Sequence, residues 1–218
     1  MNRRGLLQLL AGGGASGLVA SALAKGDIPS GVNRLDGSVR VNGLEARVGT
    51  PIQVGDRVAT GASSRAVIVV GKDAFLLRST TIIEFKDDEE DKGVLHNMLV
   101  ATGSVLSVFS KKPVAIQAAS ASIGIRGTGA YLEVMPDEVY FCLCYGEALV
   151  EAPGMANSRL VRTTHHEEPL LLRKSGNDMR VEPGGFRNHT DAELVMLEAL
   201  VGREPPFLKG GTYPSKKY

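Results

Sequence analysis

Cys142 and Cys144 are the only cysteines in the chain, and they lie one residue apart in the segment VYFCLCYG. That segment has the composition of a β-strand, in which residues i and i+2 point to the same face. Their Cα atoms would lie about 6.6–6.8 Å apart, which is wider than the separation of about 5.5–6 Å that disulfides prefer. An intra-strand disulfide would therefore need a bulge or a kink, whereas two thiolates can bind one metal ion more easily.

Histidines supply the remaining candidate ligands. The segment EALVEAPGMANSRLVRTTHHE predicts a β-hairpin whose turn is centred on residues 154–155. In that register Cys144 faces His165 or His166, and only one of the two can share the cysteine face because adjacent strand residues face opposite sides. A fourth ligand could be His189 or water. The candidate metal ligands are thus Cys142, Cys144, His165, His166 and His189. A soft set of sulfur and nitrogen ligands suits zinc, copper(I) or an iron species.

Three interpretations of the cysteines stay open from the residues alone. They could bind a metal together with the histidines. They could instead form a strained or redox-active disulfide, or pair with another chain, in an oxidising compartment. They could also be small buried hydrophobic residues without chemistry. The same holds for the histidines, since His165 and His166 could end a polar strand and His189 could simply precede a helix.

The elements that would position these residues are predominantly β-strands. From Asp36 to about Arg173, valine, isoleucine and threonine recur in short runs that glycine-containing turns interrupt. Asn42-Gly43 is a strong signal for a two-residue hairpin turn, and Tyr145-Gly146 indicates a bulge or turn within its strand. These patterns predict an all-β domain over residues 36–173.

The C-terminal region changes to a helical pattern. Residues 190–193 (TDAE) form a capping box, which predicts a helix that begins near Asp191. One apolar helical face would then comprise Leu194, Leu197, Leu200 and Val201. Gly202 and the two prolines beyond it predict the end of the helix. We expect the helix and its proline-rich stop over residues 188–206, packed on the β domain, and a flexible tail over residues 207–218.

The N-terminal segment has the layout of a secretory signal peptide. Basic residues precede an apolar stretch, and a small-x-small cleavage site ends at Ala24. The pair Arg3-Arg4 also resembles a twin-arginine export signal, with the ordinary secretory route and a membrane anchor as alternatives. Cleavage after residues 1–24 leaves 23 basic against 24 acidic residues, because two of the 25 basic residues are removed, and changes the formal net charge from +1 to −1. We therefore expect a periplasmic protein without a membrane span after cleavage, and the near-neutral charge gives no support for nucleic-acid binding.

Common enzyme motifs do not occur in the sequence. It contains no G-x-S-x-G, no phosphate-binding glycine loop and no H-E-x-x-H motif. The run His165-His166-Glu167-Glu168 has the wrong spacing for a metalloprotease helix. We therefore expect a protein that is not an enzyme.

Three segments, in order, resemble a FecR domain. Residues 37–85 match the family's G-x-V-x-V start, its G-D-x-V-x-T-G turn and the strands that follow. Arg126-Gly127-Thr128 matches the family's R-G-T segment, and VYFCLCYGEALVEA resembles its closing strand, turn and strand. The likeness covers roughly residues 36–152 and departs from the family at Gly71-Lys72-Asp73, where Asp-Gly is usual. The resemblance implies a compact twisted β-sandwich or a short β-solenoid-like domain, with one C-terminal helix packed on it.

The resemblance also implies a class of function. The best-understood FecR-domain members are transmembrane regulators of iron-uptake genes that control a sigma factor. If residues 1–24 are a signal peptide, no cytoplasmic arm is expected, so direct anti-sigma activity does not carry over. The CxCYG, HHE and HTDAEL features resemble those of a subgroup of exported FecR-domain proteins.

For this chain the resemblance implies a periplasmic domain that senses or binds a ligand. Metal binding through the Cys/His cluster, with zinc or iron as the cofactor, is one form of that function, and an unidentified protein of the cell envelope is the expected partner. The alternatives are a structural or envelope-interaction module without a small ligand, and a thiol redox protein.

Overall fold

The computed structural model describes residues 28–87 and 91–209. The expected signal peptide and residues 210–218 of the expected tail lie outside the described residues. The predicted fold class is confirmed, because the described chain is built from β-strands with one C-terminal α-helix packed on them. The strands are β1 (Gly31–Asp36), β2 (Val39–Val41), β3 (Leu44–Glu45), β4 (Arg57–Thr60), β5 (Arg65–Val70), β6 (Asp73–Leu77), β7 (Ile82–Lys86), β8 (Asn97–Val108), β9 (Pro113–Ala118), β10 (Ala121–Met135), β11 (Glu138–Glu151), β12 (Arg159–Thr163), β13 (Leu170–Ser175) and β14 (Asp178–Pro183). The helix α1 is Asp191–Leu200, and Pro206–Leu208 forms a turn of 3-10 helix.

The β structure extends beyond the expected range of residues 36–173 at both ends. At the N-terminal end β1 begins at Gly31 and pairs with β5. At the C-terminal end β13 continues into a hairpin with β14, which lies at an edge of the sheet. Only Met179 of β14 is fully buried, so this strand lacks the apolar runs by which the other strands were recognised.

Hydrogen bonds join the described strands into one 14-stranded twisted sheet rather than two separate sheets. The long strand β8 pairs with β6, β7 and β10 in antiparallel fashion and with β9 in parallel. Residues from β2 near one end of the sheet and from β13 near the other belong to one continuous buried cluster. The sheet thus encloses most of the core with one of its faces.

A second, smaller buried cluster lies between the opposite face of the sheet and α1. Side-chain alternation along β11 sends Leu143 into the large core and Cys142 and Cys144 into this second cluster. Leu194 and Leu197 of α1 contribute to the same cluster. The predicted candidate ligands of β11 therefore lie under the C-terminal helix.

The start of α1 agrees with the sequence prediction. Thr190 is the N-cap: its hydroxyl accepts a hydrogen bond from the Glu193 backbone at 3.3 Å, and the Glu193 carboxylate accepts one from the Thr190 backbone at 3.0 Å. Leu194 and Leu197 are fully buried as expected. The expectation that Val201 is buried is wrong, because Val201 is the C-cap, where the backbone leaves helical geometry and the side chain is only half-buried.

With ten residues, α1 is too short to cross a bilayer, and no helix in the described ranges has the length and apolar character of a membrane span.

Candidate metal centre

Strand β11 places both cysteine side chains on one face, as the alternation predicted. The register between β10 and β11 shifts here: Tyr145 lies opposite Gly129 and Leu143 lies opposite Ala130, so Cys144 is an extra residue on its strand. A second register shift lies between Arg126 and Gly129 of β10, opposite Gly146, so the irregularity predicted at Tyr145-Gly146 is present there, and Gly146 has a φ of +101°. A Cβ at Gly146 would lie 2.7 Å from the Thr128 methyl group, so a side chain at this position would be obstructed.

The hairpin register predicted for β11 and β12 is confirmed. Gly146 pairs with Thr163, which centres the turn on residues 154–155. Beyond Thr163 the chain leaves the strand, and the backbone N–H of His166 donates to the carbonyl oxygen of Cys144 at 3.1 Å. The backbone of His166 has a φ of +55°, a left-handed conformation that non-glycine residues adopt rarely.

This left-handed residue changes where the two histidines point. Their Nε2 atoms both contact the same carboxylate oxygen, Oδ1 of Asp191, at 2.9 Å from His165 and 3.0 Å from His166. The expectation that strand alternation would direct the two rings to opposite faces is therefore wrong. Of these two adjacent histidines, only His166 approaches a cysteine sulfur, with its Nδ1 3.5 Å from Cys142 Sγ.

His189 reaches the cysteines from the segment before α1. Its ring is stacked on Tyr131 with the centroids 4.5 Å apart, and its Nε2 lies 3.2 Å from Nδ1 of His166. Its other nitrogen, Nδ1, lies 2.7 Å from the carbonyl oxygen of Arg187. The position immediately before the N-cap thus places this imidazole over the sheet.

One cluster of four potential ligand atoms results. The two sulfurs, Nδ1 of His166 and Nε2 of His189 all lie within 4.8 Å of one another, and the four residues are buried. At a tetrahedral zinc ion, a sulfur and a nitrogen lie about 3.5 Å apart and two nitrogens about 3.3 Å apart, given Zn–S of about 2.3 Å and Zn–N of about 2.0–2.1 Å. The measured distances of 3.5 Å and 3.2 Å fit that geometry.

The hydrogen bonds around the two imidazoles decide which nitrogens carry protons. A backbone carbonyl can only accept, so Nδ1 of His189 donates to Arg187, and the ionised Asp191 carboxylate likewise accepts from Nε2 of His166. In their neutral forms both rings then direct a lone pair toward the other at 3.2 Å. Two facing lone pairs in a buried site repel each other, and a cation between them, either a proton or a metal ion, would remove that repulsion.

The two thiols differ in acidity. Hydrogen bonding from Cys144 lowers the pKa of Cys142 to about 4; burial opposes this shift, and His166 and His189 reinforce it. Burial raises the pKa of Cys144 well above its ordinary value, and the neighbouring Cys142 adds to that increase. Burial alone would lower the pKa of His166, but its hydrogen bonds and charge interactions with Cys142 and Asp191 raise it overall. The centre therefore favours a thiolate beside a cation.

His165 lies outside the set that contains the cysteines and forms a second set with His166 and Asp191. Asp191 was not expected at the site, because an acidic residue next to the N-cap is already accounted for as the first residue of a helix. The sequence does contain a signal for Asp191. It lies two residues after His189, so the segment that carries this candidate ligand also carries the carboxylate.

Both cysteines are fully buried members of the cluster under α1. A serine hydroxyl buried there would need a hydrogen-bond partner, and a hydroxyl without such a partner would lower the stability of the fold. Alanine is the more conservative replacement for removing a sulfur ligand.

Comparison with known proteins does not assign a family. No family model matches the chain, and no curated protein matches it. Similar solved structures include two crystal structures of a candidate anti-sigma factor from Parabacteroides distasonis ATCC 8503, each with a TM-score of 0.48, 7% identity and coverage of 58% of this chain and 59% of that chain. This chain thus spans less than two thirds of that protein, and a likeness this weak carries no conclusion about function.

Proposed function

We propose that this protein is a non-enzymatic, exported FecR-like domain that senses a transition metal by binding it. The ligands are Cys142, Cys144, His166 and His189. The observation that carries the proposal is the pair of imidazole nitrogens that face each other at 3.2 Å beside two buried sulfurs. Hydrogen bonds to protein acceptors occupy the opposite side of each ring, so the two inward nitrogens face each other beside the sulfur of Cys142.

The donor set favours zinc over the other candidates. Four protein donors of the Cys₂His₂ type make a closed tetrahedral site, which is typical of structural zinc, whereas catalytic zinc sites keep a position for water. All four residues are buried, so a substrate could not easily reach a metal bound there, which also favours a structural over a catalytic site. Copper(I) and iron(II) accept similar soft ligands and are the competitors to compare.

The position of the site supports a sensing role. Its ligands come from strand β11, from the segment after β12 and from the residue that precedes the N-cap of α1. A metal bound there would join the sheet to the C-terminal segment, so metal occupancy would bias how firmly that segment is held. A periplasmic location and a protein partner in the cell envelope, which the signal-like segment and the FecR resemblance imply, complete the proposal.

A thiol redox protein is the second candidate, and the bulge at Cys144 favours it. A regular extended strand holds the Cβ atoms of two such cysteines too far apart for a disulfide, and the bulge at Cys144 departs from that regular geometry. The two sulfurs lie within 4.8 Å of each other, so a disulfide would still need a local movement of the chain. The low pKa of Cys142, about 4, would also supply the thiolate that thiol chemistry requires. An envelope-interaction module is the function that would remain without a metal and without redox chemistry.

Cobalt(II), a coloured stand-in for zinc, separates these functions. We expect the reduced protein to take up one equivalent and to show thiolate charge-transfer absorption. Cys142→Ala and His189→Gln should each abolish that absorption. His96→Gln is the matched control, because His96 belongs to neither histidine-containing cluster and contacts Asp91 instead.

The outcomes are distinct. Cobalt uptake with loss in the two ligand variants supports the metal site. Failure of the reduced wild-type protein to bind cobalt, zinc or copper(I) would overturn it. A Cys142–Cys144 disulfide that forms reversibly in such a metal-free protein would establish the redox function instead.

A further inference from the structure

Asp191 occupies a position that helix capping does not explain. It is the first residue of α1, where an acidic side chain is favoured by the helix dipole. The capping box, however, is completed by Thr190 and Glu193. The carboxylate of Asp191 contacts the two histidines instead, and its side chain is only 19% exposed.

We infer that Asp191 is a positioning residue for the metal centre, an inference that rests on the proposed metal-binding function. Its Oδ1 accepts a hydrogen bond from Nε2–H of His166, with the two heavy atoms 3.0 Å apart. This bond fixes the tautomer whose Nδ1 lone pair points at Cys142 and His189. A carboxylate behind a ligating imidazole also raises the basicity of the nitrogen that binds the metal. Asp191 therefore acts on the metal through His166.

The same oxygen also orients the ring of His165. Nε2 of His165 lies 2.9 Å from Oδ1, and the centroids of the two imidazoles are 4.7 Å apart. One carboxylate thus holds two neighbouring rings, of which only His166 reaches the sulfurs. This arrangement supports the left-handed backbone of His166, because hydrogen bonds at its ring and at its N–H both hold that residue in place.

A matched pair of substitutions tests the role. Asp191→Asn and Glu193→Gln each replace a carboxylate by an amide of the same shape within the first turn of α1. Asp191→Asn should weaken zinc binding about 10–100-fold, as loss of a carboxylate behind a histidine ligand typically does. Glu193→Gln should leave the affinity within a factor of about 3, because partly exposed ion pairs contribute little. Competition against a chelator of known affinity gives both numbers.

Two spectroscopic readouts distinguish positioning from a general loss of helix docking. The ligand-field bands of the cobalt(II) protein should shift in Asp191→Asn and stay unchanged in Glu193→Gln. In metal-free protein, the Nε2–H proton of His166 should give a slowly exchanging NMR signal in the wild type and in Glu193→Gln, and should lose its protection in Asp191→Asn. The second readout needs no metal, so it tests Asp191 even if the proposed metal function fails.

Two results would overturn the inference. One is equal zinc affinity and equal His166 spectra in Asp191→Asn and Glu193→Gln, which would leave Asp191 as an ordinary helix-start residue. The other is uptake of two metal equivalents with the second one lost in both Asp191→Asn and His165→Gln. That result would make Asp191 a ligand in a centre with His165 and His166 rather than a residue that positions one.

Discussion

Cys142 and Cys144 lie two residues apart on one strand, yet their surroundings give them opposite acidities. Cys142 receives a hydrogen bond from Cys144, and its interactions with His166 and His189 further favour its thiolate. Cys144 is fully buried and lies beside that thiolate, so its own ionisation would place a second negative charge in the same dry cluster. A metal cation removes this conflict, because it can neutralise both sulfurs at once.

The acidity of Cys142 can be measured directly in reduced, metal-free protein. Absorbance near 240 nm should show one thiolate whose ionisation midpoint is at about pH 4, because hydrogen bonds lower the pKa of Cys142. Cys144→Ala should raise that midpoint, since it removes the strongest of those hydrogen bonds. Absence of a thiolate below about pH 8, as for an ordinary cysteine, would contradict the assignment.

The direction in which the free energy of unfolding changes with pH follows from the same pKa of Cys142. Because the pKa of Cys142 is lower in the folded protein than in the unfolded chain, its contribution to the free energy of unfolding is complete above about pH 9. That contribution falls as the pH decreases toward about 4. His166 acts in the opposite sense, because its raised pKa adds stability at low pH that is lost as the pH rises through its folded pKa. Metal affinity should decrease on acidification as protons compete for the sulfurs and imidazoles.

The sequence predicted part of this residue-level arrangement. Alternation placed both sulfurs on one face, and counting from the hairpin turn brought the histidine pair to Cys144. Alternation failed at His166, since a left-handed residue outside a strand does not follow the strand period. The position of Asp191 two residues after His189 places it near the site, but its contacts with the two histidines depend on how α1 lies on the sheet.

Helix α1 is the element that closes the centre, and two of its residues separate capping from packing. Thr190→Ala should lower the free energy of unfolding by about 0.5–2 kcal/mol, because it removes the side-chain cap. Leu197→Ala should lower it by about 2–5 kcal/mol, because Leu197 is fully buried against the sheet. Chemical denaturation of the two variants gives both values. A Leu197→Ala loss smaller than that of Thr190→Ala would show that the helix packs weakly.

The start of α1 and the turns between strands were predictable because their signals are local. The capping box fixed the first residue of the helix, and Asn42-Gly43 forms the two-residue turn between β2 and β3. The pairing of β14 with β13 was not predicted, since an edge strand with one buried side chain carries little hydrophobic pattern. An edge strand of this kind forms because it pairs with a neighbouring strand, and its own residues show little of the strand pattern.

At the scale of the whole molecule, the candidate centre joins parts of the chain that are distant in sequence. Strand β11 supplies the sulfurs, the segment after β12 supplies His166, and the C-terminal segment supplies His189 and Asp191. The resemblance to FecR domains, which covers residues 36–152, predicted β structure for β11 and none of the contacts among the three. Pairings such as β1 with β5 and β6 with β8 join residues far apart in the chain, so local signals do not specify them.

Elemental analysis of the protein purified from its native compartment, combined with X-ray absorption at the edge of the metal found, is the decisive measurement for the proposed metal centre. Export with cleavage after Ala24 predicts that this material begins at Lys25. We expect one zinc, or a competing soft metal, per chain, with two sulfur and two nitrogen neighbours. Metal-free protein with two titratable thiols, which stays metal-free when zinc is supplied under reducing conditions, would contradict it.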